Sequence, residues 1–303
     1  MTLQQLKYLV TVADCGNITE AAERLFISQP SLSLAIHNLE TEMGVTAFSR
    51  TNKGVRITRE GEELLSYARQ LLEQADIMQE HFGKITDRQP KFSVSCQHYS
   101  FAVNAFVELV KQFDADSYDF ILRETQTGEI IEDVAQGLSE IGVIYLSEHN
   151  EEFLTKLIRR NGLVFTELYK ADPHVFISSE HPLAAKDVIE LEDLKEYPYL
   201  TYEQGNHNSF YFSEEFLSTL DMPKNIQVRD RATLFNLVIG LNGFTVSSGV
   251  IDRDLNSEQI IAKPLKMDVS MHIGTVIQKN ILLSRYAEQY RENLKNCLNA
   301  AEK

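Results

Sequence analysis

Gln29, Ser31, Ser33, His37 and Asn38 bring hydrogen-bond donors and acceptors into one short stretch that contains no acid. Groups of this kind match the edges of base pairs in a DNA major groove. Farther on, Arg50, Lys53, Arg56 and Arg59 form a basic run with no acid between Glu42 and Glu60. Such a run suits phosphate, although four cations in so short a stretch also fit a solvated loop. Catalytic patterns are missing: there is no Gly-x-Ser-x-Gly, GxxxxGK[ST], His-Glu-x-x-His or dinucleotide fingerprint. Cys15, Cys96 and Cys297 are scattered without CxxC or Cys/His spacing, so no zinc site or disulfide framework is expected. Cys96 could meet oxidants, but neither other cysteine is close in sequence to resolve it. The chain therefore reads as a non-enzyme with no metal and no cofactor.

Short helices must position the polar stretch. Thr2 and Gln5 have capping-box spacing ahead of Leu6, Leu9, Val10 and Ala13, which predicts a helix from Leu3 to Asp14 that Gly16 stops. Thr19 is the expected cap of a second helix through Ala21, Ala22 and Leu25. Ser28 caps a third, with Pro30 in its first turn and Leu32, Ile36 and Leu39 as its apolar stripe, over Gln29 to Met43. The tight link Phe26-Ile27-Ser28 makes the pair a helix-turn-helix, whose second helix would enter the major groove. An ordinary helical hairpin with a solvated face fits these residues too.

The order Ala21-Ala22-Glu23-Arg24-Leu25, Ser28-Gln29-Pro30-Ser31-Leu32-Ser33, Ile36, Leu39-Glu40, Gly44-Val45, Phe48, Arg50, Thr58 and Gly61 resembles the N-terminal signature of LysR-type transcriptional regulators. The resemblance implies a winged helix-turn-helix over 1–58, its wing formed around Arg50 to Ile57. It makes double-stranded promoter DNA the partner and Thr19, Ser28, Gln29, Pro30, Ser31, Ser33, His37, Arg50 and Lys53 the contacting residues. One departure matters: where that family carries Arg or Lys after Ser33, this chain has Leu34-Ala35.

From Thr58 to Arg88 there is no proline, and Leu64, Ala68, Leu71, Ala75, Met78, Phe82 and Ile85 alternate in steps of four and three. A helix of that length spans roughly 45 Å. So long and narrow a stripe predicts a dimerising helix over 59–89, and the resemblance implies the same role, with tetramers and RNA polymerase as further associations.

Gln89-Pro90 ends this helix. Beyond it, strand-like and helical runs alternate, which predicts a mostly parallel α/β domain over 90–303. Gly137 to Val143, Glu180-His181-Pro182-Leu183 and Val238 to Phe244 resemble the effector-binding half of the same family, although Ser247-Ser248-Gly249 departs from it. That implies a two-lobed, periplasmic-binding-protein-like fold, with one lobe over 91–165 and 268–303 and the other over 166–267. A helix is expected near Ser209 to Leu220.

Ligands of open α/β sheets sit beyond the carboxyl ends of the strands. This places Gln97 to Ser100, Thr125 to Thr127 and Tyr145 around a site in the first lobe, with Thr201, Tyr202 and the polar run Gln204 to Ser209 facing them. Family position favours Ser100 and Thr127 as direct contacts to a small-molecule effector. His98 is less distinctive, since a histidine near a strand end is often only a satisfied hydrogen-bonding residue. Each residue alone would pass for a cap or turn; their convergence makes the candidate.

The formal charge of −15, from 29 Lys and Arg against 44 Asp and Glu, argues against wholesale DNA binding. It is unevenly placed: residues 1–90 balance at −3 and the remainder at −12. The 303 residues suffice for two or more domains, and no apolar run approaches a membrane span. The N-terminus lacks the marks of a secretory signal, so the cytoplasm is the expected compartment. A competing reading is a cytoplasmic solute-binding protein or metabolic enzyme whose N-terminal helices only mediate assembly.

Overall fold

Thr2 opens the first helix as expected: its hydroxyl accepts from Gln5 N, and the Gln5 side chain answers to the Thr2 amide. In this computed structural model the described residues are 1–51, 54–82, 90–113, 117–205, 209–217, 222–251 and 259–300, with the side chains of residues 50 and 80–82 outside the description. Helix α1 spans Leu3–Cys15, α2 Ile18–Arg24 and α3 Gln29–Met43. The cap of α2 is Asn17, not Thr19: the Asn17 Oδ1 accepts from the amides of Thr19 and Glu20. Asparagine is at least as good a cap, and its position leaves Thr19 exposed inside the first turn.

Strands β1 (Phe48–Thr51) and β2 (Gly54–Ile57) pair antiparallel as a wing. Gly54 is required there: its φ is +135°, and a Cβ would lie 2.5 Å from the Gly16 carbonyl oxygen. That oxygen accepts from Val55 N and ties the wing to the end of α1. Glu40 accepts from the amides of Ala47 and Phe48 at 2.8 and 3.1 Å, fixing where the chain turns into the wing. Helix α4, Arg59–Phe82, follows. One core joins Leu6, Leu9, Val12, Ala21, Ala22, Leu32, Ile36 and Leu39 to Leu65 and Ala68 of α4. The stripe read from α3 is thus buried, while α4 begins as part of the head.

The C-terminal unit is built from β3 (Lys91–Cys96), α5 (Ser100–Gln112), β4 (Asp119–Glu124), α6 (Thr127–Ala135), β5 (Ile141–Leu146), α7 (Glu151–Arg160) and β6 (Leu163–Ala171). Then come β7 (His174–Ser178), α8 (Leu191–Leu194), β8 (Tyr199–Tyr202), β9 (Asn225–Val228), α9 (Arg231–Leu241), β10 (Thr245–Ser247), β11 (Ile260–Pro264), β12 (Met271–Gln278) and α10 (Arg285–Ala300).

The first lobe holds a sheet of order β4-β3-β5-β12-β6, parallel from β4 to β5 and antiparallel at β12 and β6. It is therefore mixed rather than mostly parallel. Tyr290 of α10 donates to the Ala102 carbonyl of α5, which joins the two helices on one face. On β5, a Cβ at Gly142 would meet Ile130 of α6 at 2.8 Å, so the helix packs directly on the strand backbone.

The second lobe holds β10-β7-β11 and the parallel pair β8-β9, joined through Tyr199 and Phe244. The expected lobe boundary at 166 is too early. Strand β6 pairs with β12 along Leu163–Ala171, so the first crossover falls after Ala171. The expected helix at 209–220 is also absent where the chain is described: Phe210–Phe212 is a single 3-10 turn. Residues 218–220, and 206–208 of the polar run, lie outside the described residues.

Candidate functional site

On α3 the buried stripe Leu32, Ile36 and Leu39 leaves Gln29, Pro30, Ser31, His37 and Asn38 exposed, with Ser33 half-buried. The polar groups are pre-arranged. Gln29 Nε2 donates to Ser33 Oγ at 2.9 Å, and the hydroxyls of Ser28 and Ser31 lie 2.7 Å apart. Ser28 also caps α3 by accepting from Ser31 N, so its oxygen is partly engaged before any ligand arrives. Phe26 in the turn is 96% exposed at φ 54°, and Leu34 on the helix is 61% exposed. Neither entered the sequence-based set. Arg50 lies on β1, its side chain outside the description, and Lys53 lies outside the described residues.

Of the predicted seam on α4, Leu71 and Met78 are 45% and 58% exposed, while Leu64 and Ala75 are half-buried. Ala68 is buried in the head's own core, against α1, and so is not available to a partner. The side chain of Phe82, and Ile85 entirely, are outside the description.

In the C-terminal unit, the carboxyl ends of β3 and β4 deliver Gln97-His98-Tyr99 and Thr125-Gln126-Thr127 to a cleft between the lobes. The other wall is Tyr202 of β8 with the segment Ser209–Leu217. His98 is the central residue. Its ring stacks on Tyr202 with centroids 4.0 Å apart and planes 10° from parallel. Its Nδ1 lies 2.9 Å from Glu214 Oε2, which also accepts from the His98 amide at 3.0 Å. Burial alone would lower the pKa of His98, but the charge and hydrogen bond of Glu214 prevail and raise it.

Gln204 Nε2 donates to Glu214 Oε1 at 3.2 Å. Glu215 accepts from Tyr202 N at 2.6 Å and from Ser213 Oγ at 3.0 Å. Burial, reinforced by the charge of Glu214, pushes the Glu215 carboxyl up to about 8. Arg231, first residue of α9, pairs with Glu124 at the end of β4 across 3.2 Å, a bond from one lobe to the other.

The remaining predicted residues divide. Thr125 donates to Glu129 and lines the larger of two cavities. Thr127 is fully buried and engaged on both sides, accepting from Gln97 Nε2 at 2.6 Å and donating to the Phe212 carbonyl at 2.7 Å. It latches the cleft wall instead of facing a cavity. Tyr145 does likewise, its hydroxyl donating to the Ser213 carbonyl at 3.2 Å. Ser100 is buried at the start of α5 and lines neither cavity. Thr201 is turned away: alternation along β8 points Tyr202 at His98, and Thr201 donates instead to Asn225 of β9. Cys96 is buried and its thiol is pushed well above its ordinary range, mainly by desolvation, which makes it a poor redox centre.

The sequence-based set missed Glu214, Glu215 and Arg231. The available signal was an acid pair inside the aromatic run Phe210-Tyr211-Phe212-Ser213-Glu214-Glu215-Phe216.

Residues 3–62 match the family described as bacterial regulatory helix-turn-helix protein, lysR family, and residues 93–298 match the LysR substrate binding domain. The chain belongs to the LysR family of transcriptional regulators. It joins a DNA-binding head to an effector-binding domain.

Among curated relatives, the regulator is 28% identical over 256 residues to the HTH-type transcriptional regulator AlsR of Bacillus subtilis, covering 82% of this chain and 78% of that one. It is 25% identical over 274 residues to the Hca operon transcriptional activator HcaR of Escherichia coli, covering 89% and 88%. Its fold is similar to that of a full-length OxyR variant from Pseudomonas aeruginosa, with a TM-score of 0.71 at 21% identity over 98% of this chain and 95% of that one. A further structural neighbour is full-length CbnR complexed with its target DNA, with a TM-score of 0.59 at 18% identity over 98% and 100%. Among the described residues no helix is long and apolar enough to cross a membrane.

Proposed function

We propose that this regulator reads its operator with Gln29, Ser31, Ser33 and His37 of α3, while Arg50 and Lys53 of the wing hold phosphates. It dimerises through the exposed part of α4, and a small molecule bound between the lobes controls it. The observation that carries the first step is the division of α3 into a buried apolar stripe and an exposed, mostly polar face interrupted by Leu34. Such a helix needs an aqueous or nucleic-acid partner on that side, and its relatives AlsR and HcaR are transcriptional regulators.

Control by a ligand requires unequal affinity for two states. The cleft offers the means, because the Arg231–Glu124 pair and the Glu214 bonds span the lobes and would be remade around a ligand. In this reading the protein is not an enzyme, works in the cytoplasm, and has RNA polymerase and a tetramer of itself as further associations.

The test is fluorescence anisotropy of full-length protein on DNA from its own upstream region. Gln29→Ala should lose specific binding while retaining weak, salt-sensitive affinity for any duplex; Arg50→Ala should weaken both together. Retention of full specific affinity in both variants would overturn the reading.

A further inference from the structure

Two cavities meet at His98. The smaller holds about 20 Å³ and is walled by the rings of Tyr99, Tyr202, Phe176 and Phe235 and by the carboxylates of Glu214 and Glu215. That volume accommodates one group the size of a water or an ammonium. The larger holds about 370 Å³, in the range of small-molecule sites, and its walls include Glu124 and Glu129.

The charges of this region are unbalanced. Four carboxylates face the two cavities, against His98 and Arg229, with Glu124 of the four paired to Arg231. Arg229 is already held by Glu203, and Glu214 has the bonds of His98. Glu215 has only neutral partners, the Tyr202 amide and the Ser213 hydroxyl. A second observation is independent of the acids. Tyr99 lines the smaller cavity and is 5% exposed, yet its hydroxyl has no hydrogen-bond partner among the described residues. A buried polar atom left unpaired is costly, so such an atom beside a cavity marks a place that something else completes.

We infer that the smaller cavity receives the positively charged ammonium head of an organic amine, with its body in the larger cavity. Aromatic faces attract a cation through their quadrupoles, and a desolvated carboxylate pair supplies the opposite charge. Glu214 and Glu215 share the cation, and the Tyr99 hydroxyl accepts one of its N–H bonds. An acid effector is disfavoured in the smaller cavity, because its carboxylate would be buried beside Glu214 and Glu215. This assignment rests on the reading of the cleft as the effector site and adds the class of ligand.

The assignment has a proton balance. Burial and the adjacent Glu214 keep Glu215 protonated at neutral pH. The groups facing it are Glu214 on its own segment, Tyr202 and Tyr199 on β8, Tyr145 on β5, and His98 and Tyr99 between β3 and α5. A bound ammonium stabilises the carboxylate, so binding releases the Glu215 proton to solvent.

Isothermal titration calorimetry of the full-length protein tests this, with benzylamine, 1,4-diaminobutane and tetramethylammonium as cations and benzoate and succinate as anions at matched ionic strength. We expect saturable 1:1 binding of a primary amine at pH 7, with a heat that varies with the ionisation enthalpy of the buffer. Glu215→Gln, which copies the protonated side chain and keeps the fold, should weaken binding at least tenfold and abolish the buffer dependence. Tyr99→Phe should weaken it about threefold to tenfold and leave the buffer dependence in place. Failure of every amine overturns the assignment. Binding of an anion in place of the amines, weakened by Thr125→Val, overturns the ligand class but retains the cleft. An amine that binds equally well to Glu215→Gln and Tyr99→Phe overturns both.

Discussion

Phe26 and Glu215 are each held in a state that their type resists, and each resistance can be measured. A phenylalanine at φ 54° carries the steric cost of the left-handed region, and at 96% exposure it recovers almost nothing by packing. Phe26→Asn is therefore expected to stabilise the head by about 0.5–1 kcal/mol, seen as a raised melting temperature. A lowered one would mean that the ring makes a contact worth more than the strain. Glu215 titrates near 4.5 when unfolded and near 8 when folded. Between those values the folded state retains a proton that the unfolded state has lost, so stability falls as pH rises and the loss is complete above about 8. His98, also raised, adds a loss of the same sign, but only above its ordinary 6.5. Glu215→Gln should thus flatten the stability of the C-terminal unit between pH 5 and 6, where His98 is silent; an unchanged slope in urea titrations would refute the assignment. In the sequence this residue is marked only by the aromatic run around it. Adjacent glutamates read as solvated surface, and only the long-range bonds to His98 and Tyr202 bury them.

Element positions were legible wherever periodicity and caps agreed. Helix α3 has the predicted limits because Ser28, the stripe and Gly44 all mark them. What covers a stripe was not legible, and α4 is the example. Its steps of four and three are compatible with a partner helix and with the head's core, and the two share it: Ala68 lies in the core, while Leu71 and Met78 face outward. Leu71→Glu with Met78→Glu is accordingly predicted to convert dimers to monomers in light scattering while the head's melting temperature stays within about 1 °C. Ala68→Leu should do the reverse, overpacking the contact with α1 at a cost of about 1–3 kcal/mol without touching the exposed seam. If the double glutamate variant keeps the parent mass, the exposed stretch of α4 is not the dimer contact.

The whole molecule must bring a polyanion to another polyanion. Its charge of −15 lies mostly beyond residue 90, and the reading helix contains no lysine or arginine to offset it. Leu34 occupies an exposed position on α3 where an arginine could reach a phosphate, and it is 61% exposed, so substitution there disturbs no core. Each phosphate neutralised by a cation steepens the dependence of log K on log salt by about 0.9. Leu34→Arg is therefore expected to steepen that slope by about 1 for each head engaged, or about 2 for a dimer on two half-sites. Affinity for unrelated duplex and for the operator should rise together and leave discrimination unchanged, since a phosphate contact carries no sequence information. Combining Leu34→Arg with the monomeric α4 variant separates the contributions of head and assembly: the added slope should drop from about 2 to about 1. An added slope that is the same in monomer and dimer would mean that only one head is on the DNA at a time, and the proposal of paired reading would fail.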